Sequence, residues 1–235
     1  DRSGEDLYHA GSTDDLRAML ASPALARFST LFLVGFSMGG HLALRWATDP
    51  GRDPRVAAVA AVCAPLDLGH GAESIQRPLG RPYQWHVLRG LKEMLRAADM
   101  RGRAPVPYRR ARDIRSILEW DDRIVVPRFG FRSRADYYAS QSAGPRLAEL
   151  ALPTLFVAAE RDPMVTADQL RPWLERASDA VRVAWTSGGH VGFPELALDA
   201  REPGPLEPQL LRWLLRHHPD RGTRRRPATP SDQSK

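Results

Sequence analysis

Cysteine is nearly absent from this 235-residue chain. The single thiol, Cys63, excludes an internal disulfide and fits a reducing compartment. Its place inside an apolar run reads as a buried structural thiol. Long hydrophobic runs are missing too: the longest, Val56 to Leu66, is far too short to span a bilayer. No segment repeats. No signal peptide is visible, but the chain opens on Asp1 instead of Met, so a missing targeting segment excludes little. Lysine is also scarce, and arginine carries nearly all the positive charge. These absences lead us to expect a cytoplasmic protein, at most peripheral to a membrane.

What is present is ordinary for a soluble globular chain, with 43% hydrophobic and 26% charged residues. The length suits one sizeable domain, or one domain with an insertion. The net charge of +6 is unevenly placed: Leu66 to Leu152 holds 16 basic against 10 acidic residues, and Pro219 to Lys235 holds 5 against 2. A coding bias toward arginine accounts for this blandly. The sharper reading is an electropositive rim making weak contact with anionic membrane or substrate. No nucleic-acid motif accompanies the charge, so no nucleic-acid partner is expected.

Four short apolar runs punctuate the chain: "TLFLV" (30–34), "RVAAVAAV" (55–62), "PTLFVAA" (153–159) and "VRVAW" (181–185). None alternates with polar residues, and helical patterns separate them, which argues for a parallel sheet covered on both faces. Helices are expected at Asp14 to Leu20 (capped by Ser12-Thr13), Gly40 to Thr48, Ala167 to Ala177 (with Pro172 as a break) and Glu207 to His217. About 85 residues separate the second and third runs, far more than an ordinary connection. That interval holds helical pieces at Tyr83 to Ala98 and Arg109 to Trp120 and reads as an inserted cap. The division expected is a core of residues 1–65 and 153–218, a cap of 66–152 and a disordered basic tail of 219–235.

Chemistry enters at "LFLVGFSMGGHLALRWA", residues 31–47. A bare G-x-S-x-G is weak, but here a strand run precedes it and a helical pattern follows, the context in which such a serine is an exposed nucleophile. Close packing in the turn calls for small residues at Gly35 and Gly39, and Gly40 lets helix and strand approach. Ser37 then sits near a helix N-terminus, and the Met38 backbone N–H is an oxyanion donor. A serine hydroxyl needs a base. His190, in the loop "TSGGHVGF" after the fourth run, has the best context of the seven histidines. The acid belongs at the end of the third run, where "AAERDPMV" offers Asp162 and, in reserve, Glu160. His190 would take the Ser37 proton while Asp162 fixes the imidazole tautomer.

These stretches, with "YHAGSTDDLRAML", "CAPLDL", "EWDDRIVVPRFGF" and "ADYYASQSA", resemble the YheT-like α/β-hydrolases related to the animal abhydrolase-domain lipases. The resemblance runs to about His218. It implies an α/β-hydrolase fold, mostly parallel, with an inserted helical cap. It also implies a carboxylic-ester hydrolase with a Ser37-Asp162-His190 triad and no metal or organic cofactor. His41 stands where the family often has Asn, and Thr166 where a Pro often follows the acid. Family members carry first strands and a His-Gly loop, the second oxyanion donor, ahead of the region that Asp1 resembles. The expectation is therefore a serine hydrolase cleaving short- to medium-chain esters, lipid or small-molecule, through an acyl-serine, with the cap as a lid. The alternatives are a truncated, weak or inactive hydrolase-fold protein, and an acyltransferase using the same triad.

Overall fold

The four apolar runs become four strands in a single sheet: β1 (Leu31–Phe36), β2 (Val56–Val62), β3 (Thr154–Ala159) and β4 (Val181–Thr186). The computed structural model describes residues 7–193, 198 and 204–219. All three strand pairings are parallel, and the order across the sheet is β1-β2-β3-β4. Parallel neighbours need crossovers, and these lay helices on the sheet faces. Burial on both faces explains why β2 and β3 are uninterrupted apolar runs: Ala58 to Val62 are 0% exposed.

Nine α-helices lie among the described residues: α1 (Asp14–Leu20), α2 (Met38–Ala47), α3 (Leu68–Ser74), α4 (Arg81–Met100), α5 (Ile117–Trp120), α6 (Val126–Phe129), α7 (Arg134–Gln141), α8 (Ala167–Leu174) and α9 (Leu206–Arg216). On one face, Ala43, Leu44, Trp46 and Ala47 of α2 pack with Leu33, Val59 and Phe156 of the sheet. On the other, Leu206, Leu210, Trp213 and Leu214 of α9 follow one helical stripe and cover Ala60, Val62 and Leu155. Each leucine, valine or phenylalanine among them contributes roughly 1.5–3 kcal/mol by leaving water. At the lower end of the sheet Arg55 donates to the Leu20 and Leu25 carbonyls at 2.7 Å and pairs with Asp53 at 2.6 Å, tying α1 to β2.

The chain between β2 and β3 folds into α3 to α7, whose buried side chains Leu88, Leu95, Ile114, Trp120 and Ile124 form a separate cluster with Leu7 and Ala10. Several of its arginines face neighbouring acids: Arg89 pairs with Glu93, Arg123 with Glu119, Arg132 with Asp136 and Arg134 with Asp122.

Three local expectations are corrected. The helix expected over Arg109–Trp120 is a 3₁₀ turn at Tyr108–Arg110 and the short α5. The carbonyls of Arg112 and Ile114 bond Lys92 Nζ instead of helix amides, and Ser116 caps a fresh start by accepting from the Glu119 N–H. Thr13 stands at the start of α1 with no side-chain cap bond, and Ser12 Oγ accepts from the His9 amide. Pro172 does not break α8, which runs through it to Leu174. The tail expected to be disordered lies outside the described residues except for Pro219.

Candidate active site

β1 ends at Phe36 and α2 begins at Met38, so Ser37 alone makes the turn. Its backbone adopts φ 51° and ψ −124°, a conformation L residues rarely take, and its N–H is held by the Val62 carbonyl at 2.8 Å. Strand and helix approach so closely that a Cβ on Gly35 would lie 2.4 Å from the Gly39 carbonyl oxygen. A Cβ on Gly40 would lie 2.8 Å from the Gly35 carbonyl oxygen. Gly39 departs from expectation: a Cβ there would meet nothing within 4 Å. The steric demand of the turn falls on Gly35 and Gly40.

The residues singled out for chemistry come together. His190 Nε2 lies 2.9 Å from Ser37 Oγ, and His190 Nδ1 lies 2.7 Å from Asp162 Oδ2. The other carboxylate oxygen, Oδ1, accepts from the Met164 and Val165 amides at 2.8 and 2.9 Å. Asp162 is thereby locked in one orientation, with Oδ2 left for the imidazole. Glu160 points elsewhere: its side chain is 57% exposed, 3.8 Å from Arg171. Met38 opens α2, so its amide belongs to the first turn, where N–H groups have no intrahelical acceptor. Tyr83 of α4 sets its ring edge-on to His190 at 6.5 Å, bringing the segment between β2 and β3 beside the imidazole.

Ser37 and Met38 open into a cavity of about 330 Å³. Leu68, Ile75 and Leu91 from the segment between β2 and β3 give it apolar walls. Tyr8, His9 and Ala10 form part of the wall, and two of their amides are spent: His9 N–H donates to Ser12 Oγ and Ala10 N–H to Tyr137 Oη. His9 sits among Phe129, Phe131 and Tyr137, and burial lowers its pKa.

Cys63 is buried, as its apolar run implies, but three placements were not read from the sequence. Cys63 directly follows β2 at φ 47°, 1% exposed, with its sulfur in a group with Asp162 and His190 whose donor atoms all lie within 4.8 Å of one another. Burial, and then Asp162, push its thiol pKa up, so it keeps its proton. A protonated thiol beside a carboxylate already serving two amides and an imidazole is a poor metal ligand. His41 is wholly buried in α2, with ring nitrogens at 2.8 Å from the Pro65 carbonyl and 3.0 Å from that of Gln141. Asp121, 7% exposed, stands in the cavity wall and accepts from Tyr138 Oη at 2.6 Å.

Residues 12–195 match the α/β-hydrolase fold family. Among curated proteins, the chain is 31% identical to Escherichia coli YheT, which carries the name of an esterase, over 84% of this chain and 61% of that protein. It is 27% identical to an abhydrolase domain-containing protein of Dictyostelium discoideum, over 81% of this chain and 50% of that one. A monoacylglycerol lipase of Saccharomyces cerevisiae is 23% identical over 80% of this chain and 43% of its own length. The chain thus spans about half the length of these relatives. No helix among the described residues is long and apolar enough to cross a membrane. A parallel sheet, a strand–serine–helix turn and a match over most of its length place this chain in the α/β-hydrolase fold family.

Proposed function

We propose that this chain is a serine hydrolase acting on carboxylic esters of short- to medium-chain acyl groups. The observation that carries the reading is the continuous hydrogen-bonded line from Ser37 through His190 to Asp162, at the mouth of an apolar cavity. In the proposed reaction His190 Nε2 takes the Ser37 proton as Oγ attacks the ester carbonyl. Asp162 holds the Nδ1–H and stabilises the imidazolium. The Met38 amide faces the developing oxyanion. His190 then returns the proton to the departing alkoxide, leaving an acyl-serine that water cleaves by the same base. The cavity volume lies near the lower end for ligand pockets, which favours short and medium chains over long ones. The insert acts as a lid, with Tyr83 beside His190 limiting water at the base. The esterase and lipase names of the relatives favour the same reaction class.

A second reading, a weak hydrolase, is favoured by the oxyanion site. Among the described residues the amides of His9 and Ala10 are already bonded, and Met38 is the donor identified at Ser37. Losing one oxyanion donor costs about 10²–10³ in rate.

A fluorophosphonate probe separates the two. Labelling should map to Ser37, disappear in Ser37→Ala and slow by about 10²–10⁴ in His190→Ala. A folded chain that does not label at Ser37 sinks the hydrolase reading. Labelling combined with ester turnover about 10²–10³ below that of ordinary esterases supports the weak-hydrolase form.

A further inference from the structure

We propose that Asp121 is a specificity-determining residue of the Ser37 cavity, accepting a hydrogen bond from a hydroxyl carried by the bound ester. The proposal rests on the hydrolase reading above for what occupies the cavity.

A carboxylate is a costly group to place in an apolar wall. Trp120, Val125 and Tyr137 stand near Asp121 in that wall, and Asp121 itself is over nine-tenths buried. Tyr138 Oη donates to Oδ2, and among the described residues no hydrogen bond is made to Oδ1. If the only task were to hold α7 against this segment, a neutral amide could accept the tyrosine O–H without an ionised group in the wall. The backbone departs from regularity here as well. Asp121–Val125 form a turn of π-helix between α5 and α6, a distortion often found where a helix re-aims side chains at a functional site.

Two further groups complete the electrostatic setting. Arg134, whose guanidinium bonds Asp122, lies near enough to favour the Asp121 anion, while Asp122 opposes it. Burial is the largest influence and pushes the carboxyl up to about 6, so at pH 7.5 it remains predominantly an acceptor. An acceptor-only group in an otherwise greasy cavity selects for an O–H donor and against an ether of similar shape. The hydroxyl could sit on the acyl chain or on the alcohol half of the ester.

The test measures binding and needs no turnover. The full chain carrying Ser37→Ala is titrated calorimetrically at pH 7.5 with two matched pairs. Methyl 6-hydroxyhexanoate against methyl 6-methoxyhexanoate reports an acyl-borne hydroxyl. 2-Hydroxyethyl hexanoate against 2-methoxyethyl hexanoate reports an alcohol-borne one. In one pair the hydroxyl member should bind about tenfold tighter, as expected for donation to a charged acceptor. Adding Asp121→Asn should bring that ratio within about twofold, because the amide donates to hydroxyl and ether alike, while an unchanged near-UV circular dichroism spectrum reports an intact fold. Adding Tyr138→Phe instead should raise the ratio, since the ligand hydroxyl then meets a carboxylate with no competing O–H. No preference in either pair overturns the proposal, as does a preference that survives Asp121→Asn. Ser37 that labels beside a cavity that does not discriminate removes this inference alone. Discrimination without labelling removes the hydrolase reading and leaves Asp121 as a ligand-binding residue.

Discussion

His41 carries two opposed demands on one ring. Its two nitrogens face two backbone carbonyls, yet a neutral imidazole has a single N–H. Burial outweighs both carbonyls and, with Arg45 adding to it, lowers the pKa from 6.5 to about 4. The folded pKa lies below the unfolded one, so the unfolded chain takes up the proton first as pH falls. Stability from this group is complete above pH 6.5 and is lost as pH drops toward 4, about 3 kcal/mol in all. Urea denaturation at pH 7.5 and 4.5 should show most of that loss in the natural chain. His41→Asn should lack it while costing about 1 kcal/mol at pH 7.5; an unchanged pH slope would show that another group is responsible. Ser37 was legible because its signal is local, a spacing between neighbours. Asp162 and His190 were legible because each closes a strand run. Cys63 and Asp121 were not, since their surroundings come from residues distant in sequence: Tyr138 lies 17 positions from Asp121.

Strand, turn and helix around Ser37 act as one element, and its glycines are not equivalent. Gly35→Ala would drive a methyl into the Gly39 backbone and should cost at least about 1–3 kcal/mol, with loss of Ser37 labelling. Gly39→Ala meets open space inside α2 and should be neutral or stabilising by up to about 1 kcal/mol, with labelling retained. Denaturation midpoints and probe kinetics on the two variants check this; equal damage from both would mean that the turn is less tightly wedged than the geometry indicates. The sequence pattern matched the elements where it is strong, as in the unbroken apolar run of β2 or the helical stripe of α9. The reading failed over Arg109–Trp120, where helix-forming residues lose their amide partners to Lys92 and a serine cap restarts the helix. Tertiary contacts decided there, and local propensity did not.

At the scale of the whole molecule the sheet is unevenly protected. β2 and β3 are covered on both faces, but β1 is an outer strand of the described sheet, and Val34 and Phe36 are 46% and 47% exposed. An apolar outer strand is a template for pairing with another chain. This chain should self-associate as its concentration rises, and Val34→Lys should shift it toward monomer without loss of Ser37 labelling. Light scattering after size exclusion tests this; identical elution of both proteins would clear β1 of the role. The parallel architecture was legible from non-alternating runs. This uneven cover was not, because Val34 and Phe36 are apolar like the buried residues of β2.

The candidate catalytic line joins residues 153 positions apart, Ser37 and His190. On a ribosome adding about 5–20 residues per second, the serine is made roughly 8–30 s before its base. The β1–β2 pairing and the Val62 carbonyl can hold the unusual backbone of Ser37 during that wait. On the proposed mechanism the hydroxyl would stay unactivated until the chain after β4 brings the imidazole to it. On the reaction proposed above, a chain released before residue 190 would hold the serine without its base, so the order of synthesis would delay acylation until the chain is nearly complete.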